Sequence, residues 1–97
     1  MLQAEIRVSF AEAIKAAVEK PTPEYSPIAR QMKVTGRVEV EATVLPNGQV
    51  ESVKVISGNP LLTQATVNAV KRWKFQPFTQ NGEPTRALAQ LSFEFRP

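Results

Sequence analysis

The chain has 97 residues, 42% of them hydrophobic, which suffices for one modest core and leaves no room for a second independent domain. With no cysteine and no histidine, it cannot form disulfides, use a thiolate in catalysis or offer the commonest metal ligand. Its net charge of +3 comes from twelve cations interleaved with nine carboxylates; no basic block is longer than Lys71-Arg72, so no phosphate-tracking stripe and no nucleic-acid partner is expected.

Leu2, Ala4, Ile6 and Val8 alternate with Gln3, Glu5 and Arg7, the period of a half-buried strand. Ser9 and Glu12 form a capping box, and Phe10, Ala13, Ile14, Ala17 and Val18 recur at helical spacing, which predicts a helix through Glu19. Pro21 and Pro23 end it, so residues 21–24 read as an extended spacer between an N-terminal extension, residues 1–20, and a main domain, residues 24–97. Ser26 before Pro27 predicts a short helix to about Met32. Between Gly36 and Leu45, Val38, Val40, Ala42 and Val44 alternate with charged or polar residues, and Asn47-Gly48 signals a hairpin back into a strand from Gln49 to about Ile56. A two-residue loop there pairs positions summing to 95, such as Val40 with Val55 and Ala42 with Val53, and sets Val44 against Glu51.

Asn59-Pro60 opens the main helix, predicted to reach about Lys74, with Leu62, Ala65, Thr66, Ala69, Val70 and Trp73 on one stripe and Lys71, Arg72 and Lys74 in its last turn. Trp73 and Phe75 are read as core. A turn at Asn81-Gly82 leads into a long strand, residues 85–96, with Ala87, Ala89, Leu91, Phe93 and Phe95 on one side. The fold class is therefore α+β: a two-layer sandwich with an antiparallel three-stranded sheet, open to extension by an N-terminal strand, and helices on one face. A meander is expected, with the final strand at an open edge usable for β-augmentation.

No apolar run approaches the roughly 20 residues of a membrane-spanning helix, and no secretory segment begins the chain. Nothing supports an enzyme: there is no Ser-His or Cys-His pair, phosphate loop or metal-ligand cluster, and Glu39 and Glu41 read as a solvated strand face. No cofactor is expected.

Residues 24–97 carry Tyr25-Ser26-Pro27, Gly36, an alternating strand, Asn47-Gly48, a second strand and a helix ending in Arg72-Trp73. This ordered series resembles the C-terminal domain of the TonB energy transducers. The resemblance implies a periplasmic domain, with an inner-membrane anchor outside this chain, that binds the TonB box of outer-membrane transporters by strand addition. Force would come from an ExbB/ExbD-type motor driven by the proton-motive force. Carried onto this chain, it implicates Arg86, Leu88, Gln90 and Ser92 of the final strand, with Arg30 and Gln31 of the short helix. Ser26 departs from the usual Tyr-Pro-Pro. The alternative is a TonB-like interaction module of another envelope protein, a sensor or peptidase, with no transporter partner. Leu2–Val8 could pair with a free edge in its own molecule or swap into a homodimer.

Overall fold

The structure is a computed structural model that describes residues 5–96. Its elements are β1 (Ile6–Val8), α1 (Phe10–Ala16), β2 (Ala17–Glu19), α2 (Pro27–Gln31), β3 (Gly36–Val44), β4 (Val50–Ser57), α3 (Pro60–Val70), β5 (Lys74–Phe75), β6 (Thr79–Gln80), β7 (Glu83–Pro84) and β8 (Ala87–Phe95). The alternation after Gly36 makes a nine-residue strand because Val38, Val40, Ala42 and Val44 all bury on one face. Ala87, Ala89, Leu91 and Phe95 of β8 bury beside them. The register between β3 and β8 runs unbroken from Gly36 opposite Phe95 to Val44 opposite Ala87. Together these rows form the floor of the core, which α1 covers at β8 and α3 covers at β3 and β4. The architecture is the two-layer α+β sandwich expected.

The strand order is β1-β8-β3-β4, which corrects two expectations. The sheet is not a meander, because α3 carries the chain across β3 and returns the final strand beside β3 rather than β4. The final strand is therefore internal, and the N-terminal segment pairs with it in parallel within the same molecule, Ile6 opposite Ala87 and Val8 opposite Ala89. The part of the expected strand from Leu2 to Ala4 lies outside the described residues.

The hairpin also differs from the two-residue loop. Gly48 donates its N–H to the Leu45 carbonyl at 2.8 Å, and the Leu45 N–H meets the Gln49 carbonyl at 2.8 Å, so Pro46, Asn47 and Gly48 form a three-residue loop with Gly48 at φ 91°. Val44 accordingly faces Val50, and a bulge at Glu51 restores the expected register at Thr43–Ser52, Ala42–Val53, Glu41–Lys54 and Val40–Val55.

Both longer helices stop early. Ser9 caps α1, accepting from the Glu12 N–H, yet the helix ends at Ala16 because Ala17–Glu19 pairs with β5. Asn59 and Pro60 open α3, which ends at Val70, so Lys71 and Arg72 lie past its last turn and Lys74 joins β5. Trp73 and Phe75 are core as expected, 4% and 3% exposed. The Trp73 ring meets Phe93 edge-on at 5.6 Å, and its Nε1 donates to the Pro21 carbonyl at 3.0 Å. That bond lays residues 21–24 along the body of the domain. Tyr25 ends this segment: its hydroxyl donates to the Val34 carbonyl, and its ring packs edge-on against Phe95 at 5.9 Å.

Candidate functional site

Backbone groups in a strand alternate sides, so each residue of β8 turns its N–H and C=O either toward β3 or toward the opposite flank. The Ile6 N–H donates to the Arg86 carbonyl at 3.2 Å, which assigns the even-numbered residues to the flank away from β3. The parallel register with β1 then engages both groups of Leu88 and the N–H of Gln90. There β1 ends, since Ser9 turns the chain into α1. The Gln90 carbonyl, both groups of Ser92, both groups of Glu94 and the Arg96 N–H face a flank that no strand occupies among the described residues. Three donors and three acceptors in register form a vacant strand position about 20 Å long, at roughly 3.3 Å per residue.

The sheet's two terminal strands are less suited to a partner, β1 because it has only three residues. β4 carries irregularities on both sides of its central pairs, near Glu51 and near Ile56, and bulges twist an edge away from further pairing. β8 has no such break along β3.

A shallow recess flanks the vacant position on each face of the sheet. On the core side, Thr22, Pro23 and Tyr25 stand opposite Phe93 and Phe95 around about 240 Å³. On the solvent side, Gln90 and Ser92 share a groove of about 330 Å³ with Phe10, Arg37, Glu39 and Ile56. Phe10 and Ile56 are apolar yet 43% and 53% exposed there. Arg37 and Arg96 bond to Glu94 at 3.1 and 2.7 Å, and these hydrogen bonds, Arg37's foremost, hold its carboxyl below its ordinary range. A carboxyl lowered in the folded state stabilises at neutral pH, and that gain is lost as pH falls through the lowered value; here it is small because the group is exposed.

The six residues singled out from the sequence divide into three groups. Gln90 and Ser92 lie on the vacant stretch. Arg86 and Leu88 lie where β1 already sits: Leu88 is opposite Arg7, and Arg86 bridges Glu5 at 3.4 Å and Glu51 at 2.5 Å. The Arg86–Glu5 pair and that of Arg7 with Glu41 at 3.6 Å tie the β1 segment to its neighbours across the outer face, while Glu51 ties Arg86 to β4. Arg30 is connected to the site through Tyr25, with its guanidinium 5.8 Å from that ring's centre, while Gln31 is exposed at the end of α2. Sequence reasoning missed Thr22 and Pro23, read as spacer, and Phe93, placed only in the apolar row of the final strand. The Tyr-Ser-Pro motif was the available signal for Tyr25 alone.

This geometry makes an exchange prediction. The amides of Leu88 and Gln90 should exchange slowly, and those of Ser92 and Glu94 fast, in a hydrogen-exchange experiment. Removing residues 1–8 should bring the first pair to the rate of the second. Equal protection at all four before removal would mean that the flank is already filled.

The fold and the vacant strand position define a two-layer α+β domain whose distinctive surface is one unpaired flank of a central strand. A family model described as Gram-negative bacterial TonB protein C-terminal matches residues 21–97, and the chain belongs to that family. It is 30% identical over 63 residues to Protein TonB of Escherichia coli K12, covering 63% of this chain and 26% of that protein. It is 31% identical over 81 residues to Protein tonB2 of Pseudomonas aeruginosa, covering 81% of this chain and 30% of that protein. The solution NMR structure of the Pseudomonas aeruginosa TonB CTD matches with a TM-score of 0.70 at 23% identity over 84% of each chain, a likeness of fold. The chain spans about a quarter to a third of the length of these curated relatives.

Proposed function

We propose that this domain is the periplasmic, partner-binding end of a TonB-like energy transducer, and that it takes the TonB box of an outer-membrane transporter as an added strand on β8. The observation that carries this reading is the run of backbone groups from Gln90 to Arg96, on an unbulged strand, that no strand pairs among the described residues. Main-chain hydrogen bonds along it would supply affinity, and side chains alternating toward the two recesses would supply choice of peptide. Gln90 and Ser92 contact the peptide directly, and Arg30 stands beside the site through its contact with Tyr25. Arg86 and Leu88 act by keeping β1 in place, which limits the added segment to about six residues.

The parent protein would be anchored in the inner membrane and driven by an ExbB/ExbD-type motor, acting as an energy transducer rather than an enzyme. Pulling along β8 would load the peptide's hydrogen bonds in shear, several together. β8 itself is held along its full length by β3, so force entering through the peptide reaches the body of the sheet.

A two-dimensional amide NMR titration with transporter TonB-box peptides and a scrambled control tests the reading. Saturable, sequence-dependent shifts are expected at Ser92, Glu94 and Arg96, with smaller ones around Arg30. Their absence, or their concentration on β4, would overturn it.

A further inference from the structure

Among the inward-facing residues of β8, one is not buried. Ala87, Ala89, Leu91 and Phe95 are between 0% and 6% exposed, whereas Phe93 is only half-buried although it packs edge-on against Trp73. The local reason is that β1 ends opposite Ala89, and no residue occupies the neighbouring strand position beside Phe93 among those described. Side chains directly opposite on the two neighbouring strands flank a residue of a sheet row, and Phe93 has such a neighbour, Val38, on the β3 side alone among the described residues.

The recess at this spot is built from both sides. Thr22 and Pro23 form the far wall, held there because Trp73 Nε1 bonds the Pro21 carbonyl, and Tyr25 closes one end against Phe95. Its volume of about 240 Å³ is below the range of drug-sized pockets. A single aliphatic side chain fits it; the rings of Pro23, Tyr25, Phe93 and Phe95 supply most of its apolar lining, with Thr22, Glu94 and Arg96 as its polar residues.

We infer that this recess is a specificity pocket for one aliphatic side chain of the added strand, the residue lying opposite Phe93. The inference rests on the strand-addition reading, and it adds a register to it. Because Val8 already takes the Gln90 N–H, the partner strand begins where β1 ends, so the residue that reaches the pocket is fixed at about 10 Å from that junction. Residues on either side of it turn to the outer face, where Gln90 and Ser92 are polar and tolerate exchange. Selection by this domain is thus predicted to reduce mainly to one apolar position within a short extended segment.

The test uses whichever transporter TonB-box peptide binds best in the titration above. Each of its positions is replaced in turn by serine, and affinities are measured by calorimetry for the native chain and for Thr22→Glu. Thr22 is exposed, so this variant places a carboxylate at the rim without removing core packing. One peptide position should lose about tenfold in affinity while its immediate neighbours change by less than about threefold. Thr22→Glu should weaken the parent peptide about tenfold and leave the serine-substituted one at that position nearly unchanged. If the peptide binds but no single position matters, or if Thr22→Glu weakens all peptides equally, the pocket inference fails and strand addition stands. If no peptide binds, both fail. A peptide-independent doubling of mass with concentration, accompanied by loss of fast exchange at Ser92, would assign the position to a second copy of this chain and overturn the inference.

Discussion

Gly48→Ala is expected to destabilise the domain by about 3 kcal/mol, a fall in Tm of roughly 15 °C for a chain of this size. Two effects add. Gly48 sits at φ 91°, where an L side chain is strained by about 1–2 kcal/mol. A Cβ there would also lie 1.9 Å from the Phe75 carbonyl oxygen, a backbone atom that cannot rotate away. Nor can the strands separate cheaply, because the Phe75 N–H donates to the Gly48 carbonyl at 2.9 Å and Gln49 bridges Lys74. Gly82 supplies the control: it has φ 82° with nothing within 4 Å of a built Cβ, so Gly82→Ala should cost only about 1 kcal/mol. Thermal unfolding of the two variants side by side separates the terms. Equal losses would show that the contact with Phe75 contributes nothing and that the turn alone needs glycine.

The same glycine shows how far the sequence could be read. Asn47-Gly48 marked the hairpin, and the alternation of Val38, Val40, Ala42 and Val44 fixed which face is core, since both are local rules written in adjacent residues. The loop length was not legible, because the bulge at Glu51 absorbs the extra residue and returns the strands to the register that a shorter loop would give. The early end of α1 was hidden for a similar reason. Ala17 and Val18 continue the helical spacing, but pairing with β5, more than fifty residues on, takes them into a strand. Tertiary contacts of this range leave no mark on the local pattern. The position of β8 depended on where α3 sets the chain down, and a length of helix does not say on which side of a hairpin it lands. The final strand was expected at an open edge along its whole length; it is internal, with its first part, at Arg86 and Leu88, taken by residues 5–8, and only its second part keeps a flank that no strand occupies among the described residues. Phe93 illustrates the deepest limit. Its place in the apolar row is readable, whereas its missing neighbour is a property of where another segment stops.

Ser92→Pro is expected to abolish addition of a TonB-box peptide, lowering affinity at least a hundredfold, while the domain loses only about 1 kcal/mol of stability. The asymmetry follows from the alternation of backbone groups along β8. The Ser92 N–H points to the vacant flank, so proline removes a donor from the proposed binding ladder and none from the pairing with β3. Its ring projects where the partner's backbone must approach, which adds a steric barrier to the lost bond. The stability cost arises from the constrained φ, about −65° against about −120 to −140° in a regular strand. Ser92→Ala leaves the backbone intact and should change affinity by less than about twofold, which separates main-chain recognition from any contact of the hydroxyl. Leu91→Pro, one position earlier, takes its proton from the β3 ladder opposite Val40 and empties a buried site, so it should unfold the sheet. The pair of adjacent prolines thus reads out the direction of each backbone group. Peptide binding to Ser92→Pro at native affinity, with the fold retained, would place the partner on another surface of the domain, the outer edges of β4 and of the short β1 being the other strand edges of this sheet among the described residues.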